Sequence, residues 1–399
     1  MNPALLTGLC VAALLLTACE EEAPASCAES GVCAAGEVCD LASGECRPIP
    51  ASAPDLVDLG RHLSAAAGPD GVVHLAMASA EPPALIAGRL EPGAARPTLE
   101  AVMEGEGVGE GTSVAIGPDG FPRIAFHHAG RGALMLASFN GTNWEIETVD
   151  AGRNGQVGRE PALAIDAAGR EVVAYRDEAV AGVRVAMRSG RRWSSEVVDA
   201  PEGGAVSGGR GHQIRLLLAG GRPVIAHHDS EAEEIRLVVH GDSGWTAGAL
   251  AGGGRRGGHL SAAMDPLGNV GLSFRDLDRG SLVVAWNDGT DERIETADDG
   301  TRPETSPGAP TNLVGAFCSL AFNAAGRPRV AYQDGAEGSL RLALRGAEGW
   351  ERSVLSDAPI SGHGIAQVML PDGGAVILHR HLAPDRTGRL VGSLAVVGP

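Results

Sequence analysis

The chain has 399 residues, 44% of them hydrophobic but only 3% aromatic, with 58 glycines and a formal net charge of −18. All 32 basic residues are arginine, and so acidic a chain repels phosphate backbones, which sets nucleic acid aside as a partner. The length exceeds what one ordinary hydrophobic core organises, so the chain must be divided or repetitive.

Residues 1–18 read as a secretory signal whose apolar centre, Leu5 to Leu16, is too short to span a bilayer. It ends Leu16-Thr17-Ala18-Cys19, which resembles the lipobox of bacterial lipoproteins. That resemblance implies cleavage before Cys19 and acylation of it, and several acyl chains anchor far more firmly than one. Glu20 at the next position, by the same resemblance, implies sorting to the outer membrane, facing either the periplasm or the outside. The membrane is then a partner through the lipid.

Residues 19–26 form an acidic spacer, followed over 27–46 by Cys27, Cys33, Cys39 and Cys46 interleaved with glycines. An even cysteine set in an exported chain predicts two disulfides, with three pairings open, whereas zinc sites favour CxxC pairs that are absent here. The Cys39 to Cys46 run resembles the small cysteine-rich knots behind the lipoboxes of myxobacterial surface lipoproteins. Residues 47–54 are a Pro-rich linker. Cys10 leaves with the signal, and Cys318 is expected unpaired and buried at the start of a strand.

From residue 55 to 399 one phrase recurs about every fifty residues, marked by turn glycines Gly71, Gly120, Gly169, Gly221, Gly268, Gly326 and Gly373. Each unit holds four short apolar runs, in the second copy Thr112–Ile116, Arg123–His127, Leu134–Ser138 and Trp144–Val149. Their alternation and bounding turn residues predict strands, and no unit has ten residues of helical period. Four strands repeated seven times predict an all-β, seven-bladed β-propeller. The last unit supplies only three strands (Ile365–Leu370, Ala375–His379, Leu390–Val397), so Leu56-Val57-Asp58 is expected to complete that blade and close the ring. Trp144, Trp193, Trp245, Trp286 and Trp350 are expected to pack blade against blade.

In such a ring the start of each first strand and the end of each second strand open onto one face. The first position holds His62, His212, His259 and His363, a set that could bind a divalent metal (Zn, Mn or Ca) or exchange protons. The second holds His128, Asp177, Asp229, Asp276 and Asp334, with His379 and His381 in the matching region of the last unit. These are the ligand-binding candidates, although an Asp at a strand end also caps turns.

The unit resembles the degenerate repeats of BNR/sialidase-like propellers across residues 55–399. The Asp-box itself, Ser-x-Asp-x-Gly-x-Thr-Trp, is absent. Sialidases use a catalytic Tyr and an Arg triad; here only Tyr175 and Tyr332 exist, and no triad can be assigned. The sequence therefore predicts a lipid-anchored module that binds a glycan or protein ligand at the channel mouth. The competing expectation is a glycan-active enzyme, a metal-assisted polysaccharide lyase or a sialidase-like glycosidase, with Tyr175 as its tyrosine.

Overall fold

The structure, a computed structural model, describes residues 37–40, 45–48 and 59–393, without 95, 153–154, 203–208, 251–254, 288, 302–312, 359–360 and 383–387. The signal, Cys19, Cys27, Cys33 and Leu56–Asp58 lie outside the described residues.

Two short strands, β1 (Glu37–Asp40) and β2 (Glu45–Pro48), pair antiparallel, which sets the backbone of Cys39 directly opposite that of Cys46. All later strands form meanders. The first blade is β3 (Arg61–Ala67), β4 (Val73–Ala80), β5 (Pro83–Leu90) and β6 (Thr98–Glu104). The second is β7 (Val108–Ile116), β8 (Pro122–His128), β9 (Ala133–Phe139) and β10 (Trp144–Asp150). The third is β11 (Val157–Ile165), β12 (Glu171–Asp177), β13 (Gly182–Ser189) and β14 (Arg192–Asp199). The fourth is β15 (His212–Ala219), β16 (Arg222–Asp229), β17 (Glu234–Gly241) and β18 (Gly244–Ala249). The fifth is β19 (Arg256–Met264), β20 (Val270–Asp276), β21 (Ser281–Asn287) and β22 (Glu292–Asp298). The sixth is β23 (Val314–Phe322), β24 (Pro328–Asp334), β25 (Ser339–Arg345) and β26 (Trp350–Ser356), and a last sheet holds β27 (His363–Met369), β28 (Ala375–Leu382) and β29 (Gly388–Ser393).

The chain is thus an all-β propeller, but the expected seven four-stranded blades are corrected to six. The remaining sheet has three strands among the described residues, because the segment expected as its fourth lies outside them. The three-stranded sheet stands between the sixth and first blades: Val376 and Leu378 share a core with Leu59, Val73 and Leu75. Every other buried cluster likewise straddles two neighbouring sheets, as when Leu134 and Leu136 of the second blade meet Val173 and Tyr175 of the third. Apolar burial between sheets, not within one central core, is what holds the ring.

Polar stitches repeat at three radii. Innermost, the hydroxyls of Ser113, Ser261 and Ser319 accept the backbone N–H of Leu163, Leu320 and Gln367 in the next sheet, at 2.9 to 3.0 Å. Midway, Tyr175 and Tyr332 donate to Asp150 and Asp298, each at the end of the preceding blade's outer strand. His227 does the same to Asp199. At the rim, the indoles of Trp144, Trp245 and Trp350 donate at 2.9 Å to Glu100, Glu196 and Glu295 of the preceding blade. Four tryptophans bridge blades in this way or by stacking, Trp286 lying edge-on to Trp350.

Candidate functional site

The innermost strands carry a device that the repeat phrase did not reveal. Each begins with a glycine in the left-handed region: Gly60, Gly109, Gly158, Gly211, Gly257, Gly315 and Gly362. Two residues on stands a second left-handed residue, in order His62, Gly111, Glu160, Gln213, His259, Phe317 and Gly364, with φ between 50° and 74°. The ladder to the second strand slips at each of these points, a β-bulge repeated around the ring. A bulge re-aims a side chain out of the pleat, so these seven positions form one circle at one mouth of the channel.

Left-handed backbone costs a non-glycine residue roughly 1–3 kcal/mol. Gly111 and Gly364 avoid that cost. His62, Glu160, Gln213, His259 and Phe317 bear it at the same place.

The four expected histidines therefore fall into two positions, not one. His62 and His259 are the bulge residues, whereas His212 and His363 come one residue earlier, paired with His228 and Arg380. His212 looked equivalent to His62 by its offset from Gly221. The fourth blade, however, joins its first strands with a two-residue turn, Gly220-Gly221, shorter than the other turns. Among the described residues no three His, Cys, Asp or Glu gather as metal ligands. His212 instead lies 3.4 Å from Glu160, while His259, Phe317 and His363 form a row of rings with centroids 4.6 and 4.9 Å apart.

Burial lowers the His259 imidazole to about 4, helped by the charges of Arg275 and Arg215. His62 is lowered too, chiefly by burial and then by Arg61. Glu160 stays below the usual carboxylate range: burial would raise it, but hydrogen bonds from His212 and the Gln213 N–H outweigh that. Gln213 in turn accepts the Leu260 N–H at 2.6 Å.

The second-strand ends are occupied otherwise. Asp177 accepts the Ala179 N–H at 2.9 Å and holds Arg184 at 2.7 Å. Asp229 accepts from Glu231 and Ala232, Asp276 from Asp278 and Arg279, and Asp334 from Ala336 and Glu337. One oxygen of each carboxylate thus closes the turn that follows its strand. His128 ends β8 at the same register. His379 does not belong to this set. It is 1% exposed, two residues before the true strand-end equivalent His381, and its Nδ1 accepts the Gly362 N–H at 3.1 Å. It shares the position of Tyr175, His227 and Tyr332.

Tyr175 is fully buried, and burial with the Asp150 carboxylate raises its hydroxyl far above the usual phenol range. It is no tyrosine for a channel ligand. Cys318 is buried mid-strand rather than at a strand start, donating to the His259 carbonyl at 2.6 Å.

A cavity of about 460 Å³ lies at the opposite mouth, among the first turns of neighbouring sheets, lined by Ala67, Pro69, Ile116, Met369 and Leu370. Its lining has no ionisable side chain.

One acid transition follows from the buried imidazoles. His259 and His379 are both held near 4, below the ordinary 6.5, so their stabilisation is complete above 6.5 and is lost as pH falls toward 4. The melting temperature should be level from pH 7 to 8 and fall from pH 6.5 to 4; replacing His379 with Phe should flatten part of that fall.

No protein-family model matches the chain, and no curated protein does. Solved structures do. A mutant of AofleA from Arthrobotrys oligospora is 10% identical with a TM-score of 0.48, covering 74% of this chain and 87% of that one. A protein of unknown function from Dyadobacter fermentans is 12% identical, TM-score 0.47, covering 85% and 94%. The NanB sialidase from Streptococcus pneumoniae is 12% identical, TM-score 0.45, covering 87% and 70%. Likenesses this low bear on neither ligand nor reaction; the propeller rests on the order of its sheets.

Proposed function

We propose that this protein is a binding module of the outer membrane, anchored through Cys19, whose bulge-ringed mouth takes a glycan or protein ligand. The observation that carries the reading is the left-handed circle. A glycine there is free of strain, as Gly111 and Gly364 demonstrate, yet five sheets place hydrogen-bonding or aromatic side chains at it. Strained positions cluster at ligand clamps, and here they recur at one position toward one opening. The row of His259, Phe317 and His363 offers apolar ring area, with Glu160, Gln213 and His212 beside it for hydroxyl groups, which favours a glycan.

No step of bond cleavage is assigned. The lyase reading needs a tyrosine at the mouth, and Tyr175 is held inside an inter-blade contact.

The test is a glycan array probed with the purified protein and with Phe317→Gly, the residue that two other sheets already use. Binding to a defined glycan class, weakened about tenfold or more by Phe317→Gly, is expected from loss of a stacking ring. An array without binding, or binding indifferent to Phe317, would refute the reading. The anchor is tested apart: Cys19→Ala should move the protein from the membrane to the soluble envelope fraction.

A further inference from the structure

One residue breaks the inner stitch. The first-strand position that pairs with the middle of each second strand is Ser64, Ser113, Ala162, Arg215, Ser261, Ser319 and Ala366 in order around the ring. Six are small, and three of the serines accept an N–H from the next sheet. Arg215 cannot accept. By the register of the other stitches a serine there would meet the Ala262 N–H, one residue past Ser261; the contact seen instead is two residues earlier, where Gln213 accepts the N–H of Leu260. The fourth blade thus carries an arginine in place of the small residue on its innermost strand, two residues beyond the bulge position Gln213.

The guanidinium of Arg215 donates to its neighbour's carbonyl, Ile214 O, at 2.9 Å. Its charge is felt by Glu160 on the third blade, His259 on the fifth and Cys318 on the sixth. Glu160 is already bound by His212 and the Gln213 N–H. The charges acting on His259 are those of Arg275, Arg215 and His363, all cationic or neutral. Arg275 and Arg215 thus both act on His259, one end of the His259–Phe317–His363 row, while the Glu160 carboxylate is engaged elsewhere. Arg215 is half-buried, and a cation drawn partly out of water gains from an anion that meets it directly.

We propose that Arg215 anchors an anion subsite inside the channel, receiving the carboxylate or phosphate of a ligand whose sugar ring lies beside Phe317. This rests on the binding reading above and names its ligand class as acidic. Arginine's fork suits both anions, and the channel walls limit screening by water.

The experiment is calorimetric titration of the full chain with glucuronate, glucose 6-phosphate and glucose, beside the Arg215→Ser variant. Serine restores the residue of four other sheets, so the variant should melt like the parent. At least one acidic probe should bind more tightly than glucose, and Arg215→Ser should weaken it about tenfold or more while leaving glucose unchanged, as for a charge-assisted hydrogen bond. Preference for glucuronate assigns a carboxylate; preference for glucose 6-phosphate assigns a phosphate. Acidic probes that bind no better than glucose, that ignore Arg215, or that do not bind at all would overturn the subsite. The wider reading would still stand if Phe317→Gly abolished a neutral ligand's binding.

Discussion

Asp199→Ala should cost about 3–5 kcal/mol of folding stability, the range for removing one partner of a buried ion pair. Asp199 is 6% exposed at the end of the third blade's outer strand and serves three donors of the fourth. It accepts Arg210 Nη1 at 2.6 Å, Arg236 Nε at 2.7 Å and His227 Nε2 at 2.9 Å. The Gly211 N–H donates to His227 Nδ1, which fixes the tautomer with the proton on Nε2. Truncation leaves a buried imidazole without its acceptor and takes from two guanidiniums the carboxylate they share, leaving Arg210 to Asp229 and Ala200 O and Arg236 to Glu234. His227→Phe should cost far less, because Phe126 and Phe274 hold the same register in other blades and Asp199 would keep both arginines. Urea unfolding of both variants checks the contrast; equal losses would mean that the carboxylate is not the keystone.

The same carboxylate predicts a second acid step. Burial alone would raise Asp199, but its bonds to His227 and Arg236 bring it to about 2, below the ordinary 3.8. A depressed carboxylate contributes its stability above the unfolded value and loses it as pH falls, here between 3.8 and 2, an amount of about 2 kcal/mol. That loss should be missing in Asp199→Asn.

Gly158→Ala should destabilise by about 3 kcal/mol or more, through both conformation and contact. Its φ is 95°, and a Cβ there would stand 2.6 Å from the Leu134 backbone of the second blade. Backbone cannot swing aside as a side chain can, so the third blade would have to lift off the second. Gly120→Ala, also left-handed but with open space around it, should lose only the conformational part, about 1 kcal/mol. Thermal melts that rank the two the other way would deny that the entry glycines set the spacing between blades.

These glycines also explain what the sequence hid. The strands were legible wherever apolar residues alternate: β8, β9 and β10 lie within a residue or two of the runs Arg123–His127, Leu134–Ser138 and Trp144–Val149. The first strand was read as Thr112–Ile116 but runs from Val108, because Gly109 and Gly111 look like loop while they are a strand entry and a bulge. A bulge removes the period on which strand reading depends, so the circle of left-handed positions was hidden with it, apart from His62 and His259. A signal was present: a glycine eleven residues before the turn glycine recurs at Gly60, Gly109, Gly158, Gly257, Gly315 and Gly362. The strand-end Asp series was visible for the opposite reason, since turn capping keeps one residue type at one place. His379 misled because its neighbours Arg380 and His381 resemble a strand end, whereas the strand continues to Leu382.

The most direct measurement replaces His62, His259 and Phe317 together by glycine and follows ligand binding and melting on the same sample. Their side chains take no part in the serine, tyrosine or tryptophan stitches, and glycine relieves left-handed strain at each position. The account predicts a ring that melts close to the parent and no longer binds the glycan that the parent selects on the array. Binding that survives intact in a folded triple variant would contradict it.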